Sequence, residues 1–307
     1  MPSLWRQING VLLFDKPLEL SSNSAMQKVR RIFCAEKAGH TGTLDPLATG
    51  LLPVCLGEAT KFSMGLLDSD KTYIANIKLG VTTSTGDAEG EVLSQLPVKI
   101  AESDLKSILE GFKGEILQIP PMHSALKFKG KPLYEYIRNG ETIERQPRSI
   151  TVYYLHIIEF INDSLIIEVC CSKGTYIRTL AEDIGTKLGC GAHLSGLRRI
   201  GTGPFKLDNS FTIAQLERMS DQAREGVLLP VDSMLLNLRE LNISQEQALR
   251  LAKGQRLGID HHLSDGRIRL YAEGQFIGVG LLEGRRLAPE RLISSLAKQA
   301  ASKNVST

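Results

Sequence analysis

The sequence has few cysteines, a weak net charge and no long apolar run. Its five cysteines include no CxxC pair and its six histidines no HExxH motif, so neither a disulfide framework nor a structural zinc site is expected. The longest apolar runs, such as residues 11–14, are far shorter than the ~20 residues of a membrane span. The N-terminus lacks the basic flank and apolar stretch of a secretory signal. We therefore expect a reduced, cytoplasmic protein with no bound metal and no membrane partner.

The net charge of +3 is too small to indicate a nucleic-acid partner, but its distribution is uneven. Residues 239–307 hold 11 basic and 7 acidic side chains, a net charge of +4, which leaves −1 for the remainder. This basic tail suggests contact with a polyanion. A solvated surface without any partner explains the charge equally well.

A chain of 307 residues is long enough for one large domain or two ordinary ones. An apolar strand at 8–14 precedes a helix that Ser22 or Ser24 can cap, and Asn162-Asp163 is the predicted turn of a hairpin. After residue 230 a helix is followed by short strands separated by glycines. We predict an α+β protein with two domains, residues 1–236 and 237–307, the second a compact β unit.

Residues 39–50, GHTGTLDPLATG, form the densest motif, with three glycines, one histidine and one carboxylate. Pro46 restricts the backbone of Asp45 to extended or turn geometry. A carboxylate held on such a loop can act as a covalent nucleophile or a base, and a tight turn with an Asx-type hydrogen bond is the simpler alternative. No Lys-Ser/Thr pair follows the glycines, so the motif is not a phosphate-binding P-loop.

Residues 124–149 differ from the rest of the chain because they show no sustained core period and hold six basic and three acidic side chains. We interpret them as an insertion that covers or grips a ligand, with a plain surface loop as the alternative. The basic residues are Lys127, Lys129, Lys131, Arg138, Arg145 and Arg148.

The 39–50 motif resembles the catalytic signature of the TruB family, the tRNA pseudouridine-55 synthases, over all twelve positions. Further segments resemble motifs of that family in the same order along the chain. The resemblance implies a pseudouridine synthase catalytic domain with a mixed β-sheet, followed by a small PUA-like RNA-binding β domain. These segments are residues 9–17 (NGVLLFDKP), 67–73 (LDSDKTY), 171–179 (CSKGTYIRT), 189–193 (GCGAH) and 197–199 (LRR).

The resemblance implies a cofactor-free isomerase that converts uridine 55 in the T-loop of tRNA to pseudouridine. Asp45 would be the nucleophile and would attack either C1′ of the ribose or C6 of the base. Arg178 would pair with Asp45, lower the pKa of its carboxyl and keep it ionised. Tyr73 would stack on the uracil and remove its C5 proton.

The remaining site residues implied by the resemblance bind the substrate. His40 would take the place of the flipped target base inside the RNA loop, which offsets part of the lost stacking. Tyr176 and Leu197 would form walls of the pocket, and Lys16 would contact the substrate.

The insertion at 124–149 matches the position of the family's flexible thumb. Its six basic residues would clamp RNA phosphates while Phe128, Tyr134 and Tyr136 anchor the segment. Because a charged insertion with little core periodicity buries too little apolar surface to order itself, we expect it to be mobile before RNA binds.

Three other functions fit parts of the pattern. A non-catalytic RNA-binding or RNA-folding protein is disfavoured by the joint presence of Asp45, Arg178 and Tyr73, although a secondary role in tRNA folding is also implied. A base-excising N-glycosylase would release free uracil. A guide-RNA-dependent rRNA modifier is disfavoured by the thumb-like insertion and the compact tail. The expected partner is therefore the T-stem-loop of tRNA, with no guide RNA and no obligate protein partner.

Overall fold

The structure is a computed structural model that describes residues 5–124, 126–296 and 300, apart from the side chains of Tyr134 and Arg138. Within these ranges the strands form one sheet of nine strands, one of five and two short hairpins. No helix in the same ranges is long and apolar enough to cross a membrane.

The larger sheet and the two hairpins lie in the first three quarters of the chain. Their strands are β1 (Gly10–Lys16), β2 (Ala38–His40), β3 (Ala48–Leu56), β4 (Lys71–Leu79), β5 (Val81–Thr83), β6 (Val92–Gln95), β7 (Gly114–Gln118), β8 (Lys127–Phe128), β9 (Lys131–Pro132), β10 (Arg148–Ile161), β11 (Ser164–Cys171), β12 (Ala192–Thr202) and β13 (Phe205–Lys206).

The topology of the nine-stranded sheet is mixed. Its path runs β1-β3-β12-β4-β11-β10-β7, with β2 paired to β3 and β13 paired to β12. Strands β3 and β12 are parallel, whereas the other neighbours along the path are antiparallel. The predicted mixed sheet of an α+β protein is confirmed.

The helices are short and lie between these strands or after them. They are α1 (Ser22–Ile32), α2 (Met64–Leu67), α3 (Glu102–Glu110), α4 (Leu133–Arg138), α5 (Ile177–Lys187), α6 (Ile213–Arg218), α7 (Asp221–Gly226) and α8 (Gln245–Ala252).

Both faces of the sheet are buried at β1, because successive side chains of a strand point to opposite faces. Leu12 and Phe14 belong to a large core that also contains residues of α1, α3 and α5. Val11 and Leu13 belong to a second core on the other face. The helices on one face thus fix the position of the loops that leave the sheet.

The C-terminal part forms the five-stranded sheet with α8 against it. Its order is β14-β16-β17-β18-β15, with β14 (Arg239–Asn242), β15 (Leu257–Gly258), β16 (Gly266–Ala272), β17 (Gln275–Glu283) and β18 (Arg286–Leu292). This sheet has its own apolar core.

The tail also shares apolar contacts with the larger sheet. Val279 of β17 is fully buried in the same core as Val11 and Leu51. The rings of Phe62 and Phe276 meet edge to face, with centroids 5.2 Å apart. The tail is therefore packed onto the body through apolar side chains rather than linked only through the chain.

Several local predictions can be compared with the structure. Ser21, and not Ser22 or Ser24, caps α1, since its side chain accepts the Ser24 N–H at 3.1 Å. The hairpin at Asn162 is confirmed, and Asn162 has the positive φ of 56° that such a turn requires. Strand β10 begins at Arg148, so the last two residues assigned to the insertion belong to the sheet.

Candidate active site

Asp45 lies on the loop that joins β2 to β3. The buried Ser22 at the start of α1 holds this loop, because its hydroxyl donates to the Leu44 carbonyl at 2.9 Å and accepts the Leu44 N–H at 2.7 Å. The N–H of Ala48 donates to the Asp45 carbonyl at 3.0 Å and closes the turn. The loop is thereby fixed at both ends, which sets the position of the carboxylate.

The glycine that ends the 39–50 motif has a structural role. Gly50 has φ +101°, and a Cβ there would lie 2.3 Å from the carbonyl oxygen of Arg199 on the parallel strand β12. Any side chain at Gly50 would push β12 away from β3. The motif therefore brings residues of β12 next to Asp45.

Arg178, in the first turn of α5, joins three separate parts of the site. Its Nη2 lies 3.1 Å from Oδ2 of Asp45 and donates to the His123 carbonyl at 2.6 Å. Its Nη1 lies 3.3 Å from Oδ2 of Asp87. The side chain of Asp87 is only 3% exposed, so Arg178 is shared between a buried carboxylate and the more open Asp45.

The expected lowering of the Asp45 pKa is not the net effect. Burial is the largest influence and raises the pKa of the Asp45 carboxyl above its ordinary value of 3.8, and the negative charge of Asp87 raises it further. Arg178 and Lys16 lower it, but they do not reverse the direction. Arg178 does lower this pKa, as expected, but the expectation left out the burial and the second carboxylate, which set the net direction.

The cleft beside Asp45 brings together the three other residues expected around the base. Tyr73, Tyr176 and Leu197 all line it, together with Asp45 and Arg178. Tyr73 on β4 is 9% exposed, and burial raises the pKa of its phenol.

Tyr176 is held at the start of α5 by two hydrogen bonds to one side chain. Its N–H donates to Oε1 of Gln118 at 2.8 Å, and Nε2 of Gln118 donates to its carbonyl at 3.1 Å. Gln118 is the last residue of β7, after which the chain enters the insertion. The end of β7, shortly before the insertion, thus fixes the part of the cleft wall that Tyr176 forms.

His40 lines a second cleft that is also bordered by Asp45. Burial and the charge of Arg199 lower the pKa of His40, which favours the neutral form of its ring. Among the described residues, its buried Nδ1 has no hydrogen-bond partner. A neutral ring at the edge of a cleft can stack on a base without a competing ion pair.

Lys16 is fully buried, and its ammonium donates to the carbonyls of Pro17 at 2.9 Å and Leu20 at 2.6 Å. Burial lowers its pKa to about 8, while the charge of Asp45 opposes that change. The structure therefore places Lys16 near Asp45 but under the backbone of residues 17–20. Its direct contact with substrate stays a prediction.

The reasoning from sequence missed four residues of this site: Asp87, His123, Lys71 and Arg199. Asp87 stands in a turn-rich segment where a carboxylate is ordinary, and His123 contributes its backbone carbonyl. Arg199 stands two residues after Leu197 in a matched segment, and its place in that segment was the available signal.

The insertion contains a small folded unit made of β8, β9 and α4. The hydroxyl of Tyr136 donates to the Phe128 carbonyl at 2.9 Å, and the two rings meet edge to face with centroids 5.9 Å apart. This unit is more ordered in outline than the sequence suggested. Its mobility before RNA binds stays a prediction.

The six basic residues of the insertion do not share one environment. Lys127, Lys129, Lys131 and Arg148 are exposed, whereas Nη1 of Arg145 donates to the Pro120 carbonyl at 3.1 Å. The side chain of Arg138 lies outside the described residues. Ser124, at the start of the insertion, lines the cleft beside Asp45, so the insertion begins at the site.

Comparisons with known proteins agree over nearly the whole chain. Residues 30–177 match the model of the TruB family pseudouridylate synthase N-terminal domain, residues 178–236 that of the tRNA pseudouridylate synthase B C-terminal domain, and residues 240–293 that of the pseudouridine synthase II TruB C-terminal region.

Two similar sequences are both named tRNA pseudouridine synthase B. The protein from Dechloromonas aromatica is 53% identical over 290 residues, which cover 94% of this chain and 97% of that one. The protein from Methylobacillus flagellatus is 52% identical over 290 residues, which cover 94% and 96%.

Among solved structures, the chain resembles one from the crystal structure of a Cbf5-Nop10-Gar1 complex. The TM-score is 0.71 at 25% identity, covering 92% of this chain and 84% of that one. A chain of an archaeal box H/ACA sRNP Nop10-Cbf5 complex has a TM-score of 0.71 at 24% identity and supports the fold alone.

Proposed function

This chain belongs to the TruB family of pseudouridylate synthases, which are isomerases, and from that premise we propose that it converts uridine 55 in the T-loop of tRNA to pseudouridine. The observation that carries the proposal is the 3.1 Å pair between Arg178 and Asp45 in a cleft lined by Tyr73, Tyr176 and Leu197. The two relatives named above as tRNA pseudouridine synthase B support tRNA as the substrate.

The proposed reaction starts with attack by the Asp45 carboxylate on C1′ of the ribose or on C6 of the base. The N1–C1′ bond breaks, the base turns within the cleft, and C5 bonds to C1′. The Asp45 oxygen leaves the carbon that it attacked, so the carboxylate is regenerated. Substrate and product are isomers, so the reaction needs no oxidant, reductant or group donor. Arg178 holds the attacking oxygen in place, and Tyr73 removes the proton from C5.

Access to Asp45 requires the target base to leave the RNA loop, at a cost of a few kcal/mol of lost stacking. We propose that His40 fills the vacated position in the loop, since its neutral ring borders the second cleft beside Asp45. Tyr176 and Leu197 then contact the flipped base from the walls of the first cleft.

RNA binding is assigned to two basic surfaces. The exposed Lys127, Lys129, Lys131 and Arg148 would meet phosphates next to the cleft. The tail, with a net charge of +4 over residues 239–307, would contact a more distant part of the tRNA. The proposed partner is tRNA alone, without a guide RNA or an obligate protein.

The test is to incubate the purified protein with an unmodified tRNA transcript, without cofactor or guide RNA, and to map pseudouridine along the product. We expect modification at position 55 alone. Asp45→Asn is the matched control, since it keeps the shape of the side chain and removes the nucleophilic charge.

Other outcomes separate the alternatives. Free uracil among the products would indicate an N-glycosylase. If the wild-type protein and Asp45→Asn both bind or refold the RNA and neither modifies it, the chain would be an RNA-folding protein. Modification that appears only after a guide RNA is added would indicate the guide-dependent class.

A further inference from the structure

Arg199 is the largest fully buried side chain in the described part of the molecule, with 1% of its surface exposed. Its Nε donates to the Leu51 carbonyl at 2.7 Å, and its Nη2 donates to the Gly42 carbonyl at 3.2 Å. These two bonds fix the guanidinium against β3 and against the loop of Asp45. They use only part of its donors, since a guanidinium carries five N–H groups.

Tyr73 is the cross-strand neighbour of Arg199 in the sheet. Arg199 on β12 and Tyr73 on β4 are direct partners across the two antiparallel strands. Side chains of such a pair lie on the same face of the sheet, with Cβ atoms roughly 5 Å apart. Both residues line the cleft of Asp45. A permanent cation is therefore fixed beside the phenol that faces the proposed position of the base.

We infer that Arg199 is a positioning residue that acts through Tyr73, stabilising the phenolate that accepts the C5 proton. This inference rests on the proposed function. The resting phenol first gives its proton to water. The C5–H bond of the intermediate then breaks, and the proton passes to the phenolate oxygen. The C–H electron pair restores the C5=C6 double bond as the C6=N1 π pair moves onto N1 or, after attack at C6, as the bond from C6 to the Asp45 oxygen breaks. The product gains its N1 proton from water, so no further reactant is required.

The groups that face Tyr73 favour this arrangement. Burial raises the pKa of the Tyr73 phenol, and Cys171 on β11 and Asp45 raise it further, whereas the charge of Arg199 lowers it. Lys71 lines the same cleft, but its ammonium donates to the carbonyls of Leu66, Leu67 and Ser69. Arg199 is thus the cation that counteracts the cost of a buried phenolate.

The experiment compares a T-stem-loop RNA carrying protium or deuterium at C5 of the target uridine, under single-turnover conditions and across a range of pH. For Arg199→Met we expect the rate to fall by roughly 100-fold and a primary deuterium isotope effect to appear. The isotope-sensitive step should accelerate as the pH rises. Arg199→Lys keeps the charge and should recover part of the rate.

Arg224→Met is the matched control, because Arg224 also donates to backbone carbonyls, those of Leu216 at 2.8 Å and Ile32 at 3.1 Å, but lines neither cleft of Asp45. It should keep the wild-type rate and isotope effect. A slow Arg199→Met enzyme that shows no isotope effect would overturn the inference. So would a pH profile that coincides with that of the wild type.

A second variant keeps the test decisive if Arg199→Met does not fold. This variant combines Arg199→Lys with Tyr73→3-fluorotyrosine, whose phenol is more acidic. The more acidic phenol should restore part of the rate that Arg199→Lys loses. No restoration would overturn the inference. Absence of pseudouridine with the wild-type protein would instead refute the proposed function, so the two failures are distinguishable.

Discussion

Basic side chains are buried around the cleft beside Asp45 but exposed on the insertion. Lys16, Lys71, Arg178 and Arg199 are each at most 7% exposed, and each donates to backbone carbonyls at or near the cleft. The lysines at 127, 129 and 131 are exposed instead. Buried cations act on fixed neighbours and are little screened by salt, whereas exposed cations are free to meet an incoming phosphate and are strongly screened. The same charge is thus held by fixed neighbours in one region and left open to a ligand in the other.

The largest expected effect comes from replacing Asp45, the carboxylate that lies among the buried cations. Asp45→Asn should reduce the single-turnover rate by roughly 10⁴-fold or more, because an amide cannot act as the nucleophile. Binding of the RNA, measured by filter retention, should persist. Substantial residual turnover would exclude Asp45 as the covalent nucleophile.

Arg178→Ala tests the buried region directly. The rate should fall by roughly 10²–10³-fold, since the charge that positions Asp45 is lost. The variant should also lose about 3–5 kcal/mol of unfolding free energy in urea, because Asp87 is left buried without its partner. Arg224→Ala, outside both clefts, is the control for activity. A wild-type rate for Arg178→Ala would show that the pair has no catalytic role.

The acid limb of the pH–rate profile should report the pKa of Asp45. The reactive form is the carboxylate, so activity is present above that pKa and is lost as the pH falls through it. Because burial and Asp87 raise the pKa, the limb should lie above 3.8. In Arg178→Ala it should move to still higher pH, since Arg178 lowers the pKa. An acid limb unchanged in that variant would assign the titration to another group.

The exposed region is tested by replacing Lys127, Lys129 and Lys131 together with alanine. RNA affinity should fall, and the slope of log affinity against log salt should flatten by about 2, since each phosphate contact contributes ~0.7 on single strands. The loss should persist on a minimal T-stem-loop. Lys106→Ala, at an exposed position on α3, is the control. An unchanged salt slope in the triple variant would place RNA binding elsewhere.

The smallest expected effect is that of a chelator. No group of three or more His, Cys, Asp or Glu side chains suited to a metal exists among the described residues. Addition of EDTA should leave turnover of a folded stem-loop unchanged. Any loss on full tRNA should be reversed by magnesium, because the ion acts on RNA folding. A loss that magnesium fails to restore would reveal a metal site.

The packing of the tail against the body decides which experiment can measure the role of the tail in RNA binding. Removing residues 239–307 would take Val279 and Phe276 away from the core that contains Leu51 and Phe62. Such a deletion would destabilise the body as well as remove basic charge. Substitution of exposed arginines on the tail separates binding from stability more cleanly.

Local patterns in the sequence determined much of this protein. The apolar run at 8–14 predicted the first strand, the Asn162-Asp163 pair predicted the hairpin, and the 39–50 motif singled out Asp45. Each of these depends on neighbours within about ten residues, where periodicity and turn chemistry act. Arg178 and Tyr73 followed only from the resemblance to a family.

The tertiary structure alone decided the electrostatics of the site. Asp87 meets Arg178 across 91 residues of chain, and Arg199 meets the Gly42 carbonyl across 157. No local period encodes such contacts. The upward shift of the Asp45 pKa likewise depends on burial and on a second carboxylate, which exist only once the sheet and α5 have packed together. Sequence thus singled out the candidate carboxylate, and packing decided its neighbours and the direction in which its pKa shifts.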